Sequence, residues 1–189
     1  MISYLGNSII YISLLLTILF YINLLKKVIP STTSSLKLIY FINLIPFGLL
    51  VYAFSISDFT LLNVVENSYI DDPIFYKVTS AWGSHEGSIL LWVFLINLFG
   101  VIFLYKNQTV EIHKNILFIS TLFILYVIVS SNPFTYVEAN ENVLGLGLNP
   151  ILQHFLFVIH PPTLFLGYIG LIVPLSLIHI SEPTRLHGI

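Results

Sequence analysis

Residues 7–25 read NSIIYISLLLTILFYINLL, nineteen residues without a charge. As a helix they would extend about 28 Å at roughly 1.5 Å per residue, which matches the hydrocarbon thickness of a bilayer. The chain as a whole has the same character: it is 57% hydrophobic and 8% charged, with a mean hydropathy of +0.94. A water-facing surface needs far more charge, so a solvated globule is excluded and a polytopic membrane protein is expected. The first apolar run lacks a basic leader and a small-residue cleavage site, so it reads as a membrane helix rather than a signal peptide. With no cysteine among its 189 residues, the chain has no thiolate metal site, disulfide or cysteine nucleophile. The net charge of −2 and the lack of a basic cluster give no sign of nucleic-acid binding.

Working outward from that span, Lys26-Lys27, Pro30 and the run to Lys37 make a short basic connection, and residues 38–54 a second helix. Asn43 and Pro46 inside it read as a packing polar group and a kink satisfied by neighbouring helices. Residues 55–87 form a polar loop with Asp58, Glu66, Asp71, Asp72 and Glu86. Within this loop Asp72-Pro73 reads as a cap and first-turn proline for a short amphipathic helix on the membrane surface, with Tyr76 and Trp82 at headgroup level. Residues 88–105 make the third span and 116–129 the core of the fourth. A second acidic loop, with Glu138 and Glu141, then leads to Asn149-Pro150, a start signal for a fifth run over 151–175. The expected fold is all-α: a polytopic membrane bundle of about five transmembrane helices plus one interfacial helix. Lys26, Lys27, Lys37, Lys106 and Lys114 lie in the first and third connections and only Lys77 in the second. The positive-inside rule therefore puts the N-terminus and both long acidic loops outside. Residues 1–175 are taken as the membrane part. Residues 176–189 change character abruptly and read as a non-native tail.

Two constellations carry candidate chemistry. In Phe155-Leu156-Phe157-Val158-Ile159-His160-Pro161-Pro162-Thr163, an ionisable ring and two prolines interrupt an apolar run. The prolines remove the amide hydrogens that would bond the Phe157 and Val158 carbonyls, so a kink or, more simply, a helix restart is expected. Counted from Ile151, His160 lies about 14 Å below the helix end, near mid-membrane. Charge is costly there and a neutral imidazole suits haem iron. Thr163, Gly167 and Gly170 would continue its stripe and leave a shallow groove. A ligand or proton relay stands against helix packing with a hydrogen-bonded histidine. His154 falls about 240° round a continuous helix from His160, too far for a ligand pair, and His113 reads as a solvated loop residue. The second constellation is Trp82-Gly83-Ser84-His85-Glu86-Gly87-Ser88 through Trp92. Its functional reading is a histidine–carboxylate site; its bland one is a helix capped by Ser88 beside a tryptophan belt.

At these residues the chain resembles the N-terminal part of the CcmF family of cytochrome c-type biogenesis proteins, the haem lyase component of cytochrome c maturation. Gly6-Asn7, Asp58-Phe59-Thr60, the Trp82–Trp92 motif, Ser131-Asn132-Pro133-Phe134 and Leu148-Asn149-Pro150 through His160-Pro161-Pro162 to Gly167-Tyr168 carry the likeness. The resemblance implies a haem-binding protein that attaches haem to apocytochrome c on the outer side of a bacterial inner membrane, or a mitochondrial one. It makes His160 a transmembrane axial ligand of haem b, with Thr163 and Gly167 lining the site and a partner histidine on a later helix. The family's tryptophan-rich haem-presenting segment and later helices do not occur here, which reads as a truncated lyase inactive alone. The implied partners are those missing parts, other maturation subunits, apocytochrome c and the lipid bilayer, with no nucleic acid. No chemical role follows for Trp82, His85, Glu86 and Trp92. Two other classes remain open: a transporter or channel segment whose broken His-Pro-Pro helix lines a substrate or proton path, and a purely structural assembly subunit.

Overall fold

The computed structural model describes residues 1–26, 33–105, 110–138 and 143–181, with the side chains of Phe157 and of residues 172–181 left aside. Lys27, Lys106, Glu141 and residues 182–189 of the suspected tail lie outside the described residues. The elements are α1 (Ile2–Lys26), α2 (Thr33–Ser55), α3 (Leu62–Asn67), α4 (Ile74–Gly83), α5 (His85–Tyr105) and α6 (Val110–Ser130), then a 3-10 turn (Pro150–Gln153) and α7 (Phe155–Ser181). Among the described residues α1, α2, α5 and α6 are long and apolar enough to cross a membrane, and α7 carries a shorter apolar stretch, Val158–Leu171. Each of the first four expected spans is present and starts three to six residues earlier than its apolar core, because helix geometry continues into the polar flanks; the fifth, expected over 151–175, begins later, at Phe155.

The four long helices close into a ring in which α1 packs on α2, α2 on α5, α5 on α6 and α6 on α1. Leu50, Phe54, Leu90, Leu117 and Val127 fill its axis, while Leu15, Leu19, Phe41, Ile45, Leu122 and Leu125 point outward and exposed. A surface with this much bare leucine and phenylalanine suits lipid rather than water. One polar residue from each helix meets inside. Asn43 donates to Thr17 Oγ1 at 3.0 Å and to Asn97 Oδ1 at 2.9 Å, and Asn97 donates to Ser120 Oγ at 2.9 Å. Asn43 thus has the packing role expected of it.

The N-terminus and both long loops share one end of the bundle, called here the loop end. Ser3 donates to the Phe134 carbonyl, Asn132 donates to Asn7, and Leu61 bridges Tyr136. The Asp72 carboxylate accepts from the Tyr69 amide, while Pro73 occupies the N-cap of α4 without a side-chain cap, so the expected aspartate cap is corrected. At the opposite end His113 is likewise corrected. It is 3% exposed within α6, its Nδ1 3.0 Å from the Tyr40 hydroxyl, because α6 starts at Val110 and draws the residue into the bundle.

Candidate functional site

α7 lies outside the ring, packed chiefly on α5 and also on α4 and α6. Its approach is built from the Asn149-Pro150 signal: the Asn149 side chain accepts from the Ile151 amide at 3.0 Å and starts a 3-10 turn, not the expected continuous helix. His154 follows in extended conformation, at φ −84° and ψ 134°. Its Nδ1 accepts from the Leu156 amide at 3.3 Å and its carbonyl from the Val158 amide at 3.2 Å, so it caps α7.

That break corrects two expectations about the histidines. His154 and His160 are not separated by helical phase: both line one groove of about 600 Å³, with Leu156, Ile159 and Thr163. The helix begins at Phe155, five residues before His160, which puts the imidazole about 8 Å from the helix start rather than about 14 Å. His160 is exposed toward the groove. Thr163 turns its hydroxyl back on the helix, donating to the Ile159 and His160 carbonyls at 3.0 and 2.9 Å. Gly167 lies further along, where an added Cβ would meet open space.

The expected restart at the prolines does not occur. α7 runs unbroken through Pro161 and Pro162, so the broken helix on which a transporter reading depended is missing. The Val158 carbonyl, deprived of its donor by Pro162, accepts instead from the Trp82 indole at 3.0 Å. Trp92 holds the same helix by its rings. Its centroid is 5.4 Å from Phe123 of α6 at 6° and 5.2 and 6.3 Å from Phe165 and Tyr168 of α7. Neither tryptophan needs a headgroup belt to explain it.

His85 and Glu86 stand apart from this contact. His85 opens α5, with Nδ1 3.2 Å from Ser131 Oγ and 3.9 Å from Glu86 Oε1, and its side chain is 65% exposed. Ser84, not Ser88, caps α5, by accepting from the Gly87 amide at 3.1 Å. Two features escaped sequence reasoning: the shared groove of His154 and His160, hidden by the assumption of one helix, and the Trp82–Val158 bond. For the second a signal existed, since helix arithmetic already left the Val158 carbonyl without a donor.

Comparison with known proteins gives a consistent set of relatives. The family described as Cytochrome C assembly protein matches residues 82–181, from Trp82 to the end of α7. The chain is 42% identical over 126 residues to the cytochrome c-type biogenesis protein CycK of Bradyrhizobium diazoefficiens, covering 64% of this chain and 19% of the relative. It is 41% identical over 132 residues to CcmF of Haemophilus influenzae, covering 67% and 20%, and 38% identical over 130 residues to CcmF of Escherichia coli, covering 66% and 20%. The chain thus spans about a fifth of the length of these relatives. Among solved structures, one described as cytochrome c heme lyase CcmF shares the fold with a TM-score of 0.76 at 22% identity, over 93% of this chain and 29% of that one.

Proposed function

The chain belongs to the cytochrome c assembly protein family, and from that membership we propose that it handles haem in cytochrome c maturation, with His160 as an axial ligand to the iron. The observation that carries this reading is an exposed imidazole, that of His160, in a groove that it shares with His154, Thr163 and the apolar Leu156 and Ile159. The groove's volume of about 600 Å³ falls within the range of roughly 300–1,000 Å³ usual for small-molecule sites. Leu156 and Ile159 would give the group an apolar wall to lie against. The donor set fits iron, since His160 would hold it through a neutral imidazole nitrogen, with a further ligand to come from another part of a longer protein. The group proposed is a resident haem b: His160 would hold its iron, and the group would supply redox chemistry to the separate haem to which an apocytochrome thiol adds.

His160 lies nearer the start of its helix than the expectation of a mid-membrane ligand assumed. Lys26, Lys37 and Lys114 lie toward the end opposite the long loops, and by the positive-inside rule the loop end faces outward across a bacterial inner membrane. A ligand about 8 Å into α7 would then lie toward the outer side of the bundle, from which an electron could reach the haem being attached. The sulfur nucleophile belongs to the apocytochrome, so a chain without cysteine has what its share of the work needs. That share is to bind and orient haem. The rest of the lyase, other maturation subunits and apocytochrome c are the partners this reading requires.

The test is the visible spectrum of the purified full-length protein, with and without His160→Ala. A low-spin haem spectrum that His160→Ala abolishes is the expected result. A wild-type protein without haem, or a variant with an unaltered spectrum, refutes the ligand assignment.

A further inference from the structure

The Trp-Gly-Ser-His-Glu-Gly-Ser motif builds a corner. Trp82 and Gly83 end α4 and His85 opens α5, with only Ser84 between them. The Ser84 hydroxyl accepts from the Gly87 amide, and the Ser88 hydroxyl donates to the Trp82 carbonyl at 2.8 Å. A Cβ at Gly87 would run into the Ala81 carbonyl oxygen, and one at Gly83 would press on Leu148 at 3.2 Å. The two serines and two glycines therefore fix the angle between α4 and α5. What that angle delivers is the direction of the Trp82 side chain, aimed at α7.

Its indole N–H meets the Val158 carbonyl, a buried one that helix geometry leaves without an amide. Val158 would bond the amide of residue 162, and residue 162 is proline. Val158 is also 4% exposed, so water is a poor substitute. An unmet carbonyl in an apolar setting carries a large desolvation cost. Indole suits the vacancy because it is a donor only, rigid and apolar elsewhere. Two residues beyond Val158 is His160.

We propose that Trp82 is a positioning residue for His160: its indole supplies the hydrogen bond that Pro162 cannot, and holds the first turns of α7 so that the imidazole faces the groove in one orientation. This gives the motif a mechanical role in haem binding, and it rests on the haem reading above. Pro162 keeps the carbonyl available, and the tryptophan ties it to the corner.

The experiment is a double-mutant cycle in the full-length protein in detergent, read by haem titration and, in haem-free protein, by hydrogen exchange of the Ile159, His160 and Thr163 amides. Trp82→Phe keeps a ring and removes the N–H. It is expected to weaken haem binding about tenfold and to speed exchange at those amides. Pro162→Ala returns an amide hydrogen to the Val158 carbonyl, so the pair Trp82→Phe/Pro162→Ala regains affinity and protection to within about twofold of wild type. Pro161→Ala serves the Phe157 carbonyl instead and gives no such rescue. Unchanged haem binding in Trp82→Phe overturns the proposal, as does equal rescue by either alanine. If wild type binds no haem, the haem reading falls and the positioning role with it. If haem binds and His160→Ala abolishes it while Trp82→Phe does nothing, only the positioning role falls.

Discussion

Asn43 and His160 are both polar residues on apolar helices, and the structure treats them oppositely. Asn43 is 1% exposed, and its amide and its neighbours' groups are satisfied within the ring by Thr17, Asn97 and Ser120. His160 sits on the helix outside the ring and faces an open groove. Polarity in an apolar segment therefore has two meanings. It glues the fold where partners come from the same bundle, and it points to a ligand where the side chain looks away from all of it.

The sharpest way to break this contrast is to remove each residue and ask which property fails. His160→Ala is expected to eliminate haem absorbance while leaving helix content and the detergent melting of the haem-free protein unchanged, because an exposed ring contributes little packing. Circular dichroism beside a visible spectrum separates the two. A parallel loss of fold would mean that His160 belongs with Asn43 after all.

Next in size is Asn97→Leu, which should cost about 1–3 kcal/mol of stability in a melting or denaturant experiment, with haem affinity unaltered. Its amide and carbonyl groups serve both Asn43 and Ser120, so the substitution leaves two buried partners short. A neutral outcome would show that the polar cluster of Thr17, Asn43, Asn97 and Ser120 is dispensable to the bundle.

Much of this contrast was legible in the sequence. The four spans of the ring followed from length and apolarity, since a bilayer fixes how long an uncharged helix must be. Asn43 and the exposed histidine of the His-Pro-Pro stretch were both singled out there. What stayed hidden depended on places where local rules were overridden. Pro161 and Pro162 predicted a restart, but a tryptophan 76 positions away in sequence repairs the break, and no local pattern contains that partner. His154 was set apart from His160 by helical phase, and a four-residue 3-10 turn removed the premise. His113 sat beside a lysine and looked solvated, yet Lys114 is held by Glu111 at 2.6 Å while His113 turns inward to Tyr40. Neighbours in sequence face different ways on a helix, so composition alone assigned it to water.

That histidine sharpens the comparison from the other side. His113→Phe removes the partner of a fully buried Tyr40 hydroxyl, and a cost of about 1 kcal/mol in the same melt is expected, with haem binding intact. A changed haem spectrum would assign the two ends of the bundle a coupling that their separation does not suggest.

The smallest effect is the most discriminating for the groove itself. Thr163 lines it, but its hydroxyl donates to the Ile159 and His160 carbonyls, which the helix already supplies with amides from Thr163 and Leu164. A second donor on a satisfied carbonyl adds little, and valine keeps the branched shape against the groove. Thr163→Val should therefore change stability by less than about 0.5 kcal/mol and haem affinity by less than about threefold, a limit equivalent to roughly 0.7 kcal/mol. If affinity instead falls well beyond that while the melt is unmoved, the hydroxyl must leave the helix and meet the bound group. Thr163 would then join His160 as a direct contact, and the floor of the site would extend along α7 toward Gly167, where the absence of a side chain already leaves room.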